Sequence, residues 1–188
     1  MTPFKICVYL WTVVAIIYFV LALLNKKKTA IKEKSESRLI YLLCLILGMA
    51  LIFYENFPYG HLADPVCKNS NLLNWTGIAI TAIGIGFSLW ARLIIGSNWS
   101  GVVMVKKDHE LIQSGPYAIA RHPTYSGFIF ALLGTVMVLD EWRGIIGFVI
   151  LVVSFLWKIG KEEKMLSNQF QNYSDYQQKT KKIIPFIY

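Results

Sequence analysis

The residues able to do chemistry fall in two short stretches. The first, His109 to Gly127, reads HELIQSGPYAIARHPTYSG and sets two histidines, an arginine and two tyrosines between strongly apolar segments. Its prolines, Pro116 and Pro123, interrupt helix and remove backbone donors. Ser114-Gly115-Pro116-Tyr117 reads as a turn, and Pro123 is placed to be the first residue of a new helix. His122 and Tyr125 then stand at that helix's N-terminus, where free N–H groups and the positive dipole end favour an anionic ligand group. The second stretch carries Glu162 and Glu163 among Lys158, Lys161 and Lys164. A carboxylate pair beside a bilayer calls for a cationic partner.

The elements that position these stretches are membrane spans. The 188 residues are 55% hydrophobic and only 16% charged, against roughly 25% charged in a soluble domain. The apolar residues come in long blocks, which predicts an all-α integral membrane protein with about five spans. These are 4–24, 39–54, 72–95, 125–139 and 142–157. The second is short unless it borrows a turn from a flank. Gly77, Gly84 and Gly86 would let a neighbouring helix approach the third span, and Arg92 in its last turn can snorkel to the interface. Asp140 and Glu141 alone separate the last two spans, which predicts a helical hairpin with Trp142 and Arg143 at the interface. Residues 1–71 form a two-span region and 72–188 the core, within one structural domain.

Charge sets the orientation. The net charge of +8 is concentrated in 25–38, 96–124 and the tail from Lys158, which with Arg92 hold sixteen of the nineteen lysines and arginines. Flanking apolar runs as they do, these lysines meet anionic lipid headgroups rather than nucleic acid. The positive-inside rule puts the N-terminus outside and the C-terminus in the cytoplasm, with the first span retained rather than cleaved as a signal. Cys7, Cys44 and Cys67 form neither a disulfide framework nor a metal spacing. Both chemical stretches then fall on the cytoplasmic face. Taken singly, each has an ordinary reading: His109 and Glu110 as surface residues, Arg121 and His122 as headgroup contacts, the glutamates as helical pairs with their lysines. Their meeting on one face predicts a ligand site there.

Several motifs resemble the isoprenylcysteine carboxyl methyltransferase family. They are Gly96-Ser97-Asn98-Trp99-Ser100, Asp108-His109-Glu110-Leu111, Gly115-Pro116-Tyr117 and Arg121-His122-Pro123-Thr124-Tyr125-Ser126-Gly127. Downstream come Glu162-Glu163 with Leu166, then Phe170, Tyr173, Tyr176 and Pro185-Phe186. The likeness covers about residues 85–188 and leaves the first two spans without a motif. It implies methyl transfer from S-adenosylmethionine to a lipophilic small-molecule or prenylated acceptor, with the cofactor in a cytoplasmic pocket between the loop before span four and the C-terminal helix.

Carried over by position, the resemblance makes Met104, His109, Glu110, Leu111, Ile112, Tyr117, His122, Pro123, Thr124, Tyr125 and Glu162 cofactor-binding. Arg121 and Lys158 are the catalytic-side cations. Lys158 stands where the family has an arginine, which keeps the charge but loses the bidentate fork. Glu162 is the cofactor's carboxylate, and Glu163 is expected to matter less. The acceptor's tail would reach the site sideways, beside the glycine-rich third span. Two other readings remain: an NADPH-dependent reductase of the sterol type, which shares the RHxxYxG-like segment and the Pro–aromatic ending, and a non-enzymatic membrane scaffold.

Overall fold

The computed structural model describes residues 2–24, 29–32, 35–56, 58–67, 70–99, 104–106 and 111–183. Five apolar helices dominate: α1 (Pro3–Leu24), α2 (Ser35–Phe53), α3 (Asn71–Ile95), α4 (Pro123–Leu139) and α5 (Trp142–Gln169), followed by a short α6 (Tyr173–Lys179). Of these, α1, α3 and α5 are long and apolar enough to cross a membrane, while α2 and α4 are shorter apolar helices. The borrowed turn of α2 comes from its N-terminal side. One small antiparallel ribbon departs from the all-helical expectation: β1 (Thr29–Lys32) pairs with β2 (Met104–Lys106), and β2 approaches α5.

Helix α5 does not end at Trp157. Its 28 residues span about 42 Å, more than the ~30 Å hydrocarbon core, so its final turns carry Lys158, Glu162 and Glu163 out of the apolar region on one continuous rod.

Packing pairs α3 with α4 and α2 with α5. The α4–α5 hairpin forms at its turn, and side chains join the two helices further along, Leu132 with Leu151 in one cluster and Tyr125 beside Phe155. Small residues decide these pairings. A Cβ on Gly84 would sit 2.5 Å from the Ala131 amide nitrogen, and one on Gly127 2.6 Å from the Gly84 carbonyl oxygen. Gly77 and Gly134 interlock in the same way one layer away, and Gly48 with Gly147 do so between α2 and α5. Gly86 instead faces open space. Gly84→Ala is therefore expected to cost about 1–3 kcal/mol by overpacking, whereas Gly86→Ala gains roughly 0.5–1 kcal/mol from helix propensity. Thermal unfolding in detergent of the two variants side by side checks this; equal midpoints would contradict the packing.

Polar groups in this bundle are matched internally, as hydrocarbon demands. Thr81 Oγ1 donates to the Gly77 and Ala131 carbonyls, and Trp11 Nε1 on α1 donates to Thr135 Oγ1 at 2.9 Å. Arg92 does not snorkel. It is 1% exposed, bonded to the Gly96 carbonyl at 2.9 Å, with its guanidinium 4.5 Å from the Trp99 ring centroid.

Arg143 is also buried. It donates to the Leu51 carbonyl at 2.8 Å and to Glu141, satisfying the C-terminal end of α2. Only Trp142 of that pair is exposed. Asp140 adopts the left-handed conformation between α4 and α5 (φ 52°), and its carboxylate accepts from the Cys67 amide at 2.9 Å.

Candidate active site

A cavity of about 330 Å³ opens where α4, α5, α6 and the segment before α4 converge. That is within the usual ~300–1,000 Å³ range of small-molecule pockets. Helix α4 starts at Pro123, as the ring's fixed φ and missing N–H favour. Before it, Gly115 takes φ 58° and opens a tight 3-10 turn, Gly115–Ala118, that buries Tyr117. The chain after α6 lies against this segment. Arg121 N and His122 N donate to the Lys181 and Lys182 carbonyls at 2.8 and 3.0 Å. The donors at the mouth of α4 that an anion would use are thus partly taken by the C-terminal segment.

The two glutamates have different surroundings. Glu163 is buried in a charge cluster: its Oε1 lies 2.7 Å from Arg121 Nε and 3.3 Å from His122 Nε2, and its Oε2 3.6 Å from Lys182 Nζ. Arg121 donates further to the Gln177 carbonyl at 3.2 Å and to that of Thr180. This cluster fastens α5, the loop and α6 together, so Arg121 touches the cavity mainly as the clamp of its wall. Glu162, one residue earlier, faces the cavity and accepts from the Tyr125 hydroxyl at 3.3 Å.

Aromatic rings complete the mouth. Tyr176 donates to the Tyr117 carbonyl at 2.6 Å, and burial pushes its hydroxyl pKa up to about 12. Burial raises Tyr117 and Tyr173 as well. All three stay neutral donors at physiological pH, so Glu162 is the cavity's inward-facing carboxylate among the described residues. Lys158 Nζ sits 5.5 Å from the Tyr41 ring centroid and 5.6 Å from that of Tyr125.

Most expected positions meet here. Leu111, Ile112, Tyr117, Arg121, His122, Thr124, Tyr125, Lys158 and Glu162 all line the cavity. Pro123 does not; it is buried and serves to start α4. Met104 lies in β2, paired with Lys32. His109 and Glu110 lie outside the described residues.

The sequence reading missed two groups. Trp99, Leu166, Tyr173 and Tyr176 were visible as motif residues but had no assigned role, and all four line the cavity. Trp11 of α1, Leu45 and Met49 of α2, Phe128 and Leu132 of α4, and Phe155 of α5 form an apolar arm reaching into the bundle. Nothing in the first two spans signalled this, because apolar residues facing a cavity and facing lipid look alike. Gly77 and Gly84 of α3 are covered by α4, and the apolar arm is lined instead by α1, α2, α4 and α5.

Fold and cavity define an integral membrane protein whose cavity is polar and aromatic at one end and apolar within the bundle. The Isoprenylcysteine carboxyl methyltransferase (ICMT) family matches residues 77–168. A protein-S-isoprenylcysteine O-methyltransferase of Tribolium castaneum is 35% identical over 78% of this chain and 52% of its own length. The Mus musculus protein of that name is 30% identical over 73% and 50%. The solved structure of a eukaryotic intramembrane Ras methyltransferase of this family superposes with a TM-score of 0.51 at 28% identity, over 82% of this chain and 54% of the other. In sequence and in fold the chain is similar to the isoprenylcysteine carboxyl methyltransferase family. It spans about half the length of these relatives.

Proposed function

We propose that the chain is an S-adenosylmethionine-dependent methyltransferase acting on a lipophilic carboxylate, of the isoprenylcysteine kind, at the cytoplasmic face of a plasma or inner membrane. The observation that carries this reading is the continuity of the cavity: a carboxylate and tyrosines at its mouth, an apolar arm running into the bundle behind them. S-adenosylmethionine, when bound, supplies an electrophilic methyl group on a sulfonium. The residues present suit it. Glu162 would hold its ammonium by a charge-assisted bond, and the faces of Tyr125 and Trp99 would flank the cation. Leu111 and Ile112 offer an apolar wall.

A carboxylate acceptor needs no general base, since it is ionised at neutral pH. The protein's work is then alignment and exclusion of water. Lys158, between the mouth and the arm, would hold the acceptor's carboxylate by charge in line with the methyl group. The acceptor's hydrocarbon would lie in the arm. Positive charge at 25–38 and from Lys158 onward supports a cytoplasmic site with the N-terminus outside.

Titration calorimetry on the detergent-purified protein tests the reading against the reductase alternative. S-adenosylhomocysteine should give saturable heat and NADPH none. Saturable binding of NADPH alone would overturn the methyltransferase assignment, and binding of neither would return the scaffold.

A further inference from the structure

We infer that Trp11 gauges the acceptor: its indole ends the apolar arm and so sets the length of hydrocarbon chain the site takes. The inference rests on the methyl-transfer reading for the acceptor's identity, and on the cavity for everything else.

The arm has a floor. Leu132 lies nine residues beyond Pro123, which puts it about 14 Å below the start of α4, near half the depth of the ~30 Å hydrocarbon core. Beyond that level the bundle is closed, since Ile52, Val136 and Leu151 pack against Leu132 as one buried cluster. A chain entering from the mouth therefore has a fixed distance to run.

Trp11 is built as a stop. Its Nε1 donates to Thr135 Oγ1 at 2.9 Å, and that hydroxyl in turn donates to the Ala131 carbonyl at 2.8 Å. The ring meets Phe53 edge-on at 6.0 Å and Phe128 at 5.8 Å and 30°. Within hydrocarbon an indole N–H must find a partner, and once it has one the ring is held. Met49 on the facing wall can adapt its shape to an occupant; the pinned indole cannot. A chain that reaches the level of Leu132 fits, and a longer one meets the ring.

The test uses thioether carboxylates with ω-bromoalkyl chains of increasing length, because bromine quenches a tryptophan it touches. Emission of the detergent-purified protein should hold steady with short chains and drop once the chain reaches the floor. Trp11→Phe should lose that drop. Identical quenching profiles in the two proteins, flat or sloped, would overturn the gauge.

Turnover gives a second readout. Trp11→Ala should raise the ratio of kcat/KM for S-geranylgeranyl over S-geranyl cysteine by at least about tenfold, the scale on which an apolar pocket separates chain lengths. An unchanged ratio in an active variant would also overturn it. Quenching that depends on length and on Trp11, without methylation of any cysteine thioether, would sink the acceptor assignment and leave the gauge standing.

Discussion

Glu162→Ala is expected to lower affinity for S-adenosylhomocysteine about ten- to a hundredfold while leaving the thermal midpoint unchanged. Glu163→Ala is expected to do the reverse. The two side chains are neighbours on α5, yet the helix turns them to different partners. Glu162 reaches the cavity and touches one tyrosine hydroxyl, so its loss removes a ligand contact and little internal support. A charge-assisted bond of this kind contributes about 1.5–3 kcal/mol. Glu163 balances Arg121 and His122 in a largely buried cluster. Removing it leaves the buried Arg121 guanidinium without its carboxylate, at a cost of about 3–5 kcal/mol. Calorimetry and thermal unfolding on both variants separate the roles. A destabilised Glu162→Ala, or a stable Glu163→Ala that has lost the ligand, would mean the pair is assigned in the wrong order.

Family motifs mark Glu162 as the expected partner of the ligand and Glu163 as the lesser of the two, and the structure turns Glu162 to the cavity and Glu163 into a charge cluster. Its weight comes from Arg121, 42 positions earlier, and Lys182, 19 later, which only the folded chain brings together. The start of α4 was readable because its cause, Pro123, is local. The end of α5 was not, since its polar last turns continue the helix to Gln169.

Arginine fates were not readable. Arg92 and Arg143 sit near span ends, where snorkelling is the ordinary outcome, yet both are buried: Arg92 folds back on Gly96 and Trp99 beside Tyr18 of α1, and Arg143 reaches Leu51 and Tyr59. Glycine spacing announced close packing on α3 but not its partner. That partner became clear only when Gly127 and Gly134 of α4 were found opposite Gly84 and Gly77. The apolar arm was the least legible feature, because its walls come from four helices and each contributes only ordinary membrane residues.

Lys158→Ala is expected to abolish methyl transfer while leaving S-adenosylhomocysteine affinity near wild type. The ammonium lies about equally far from the Tyr41 and Tyr125 rings, at the level where the polar mouth gives way to the arm. An acceptor whose chain fills the arm would present its carboxylate there. Glu162, one turn further along α5, is the cofactor's contact in this reading, so losing Lys158 strikes the acceptor alone. Lys158→Arg should keep or raise activity, since the guanidinium fork can engage both carboxylate oxygens where ammonium engages as a point charge. An arginine variant that is inactive beside an active wild type would argue that the acceptor is not a carboxylate. If Lys158 only anchors α5 at the interface, both variants stay active with a small loss of stability. Single-turnover methylation of small lipophilic thioether carboxylates decides among these outcomes, and undiminished transfer by Lys158→Ala would remove the residue from the site.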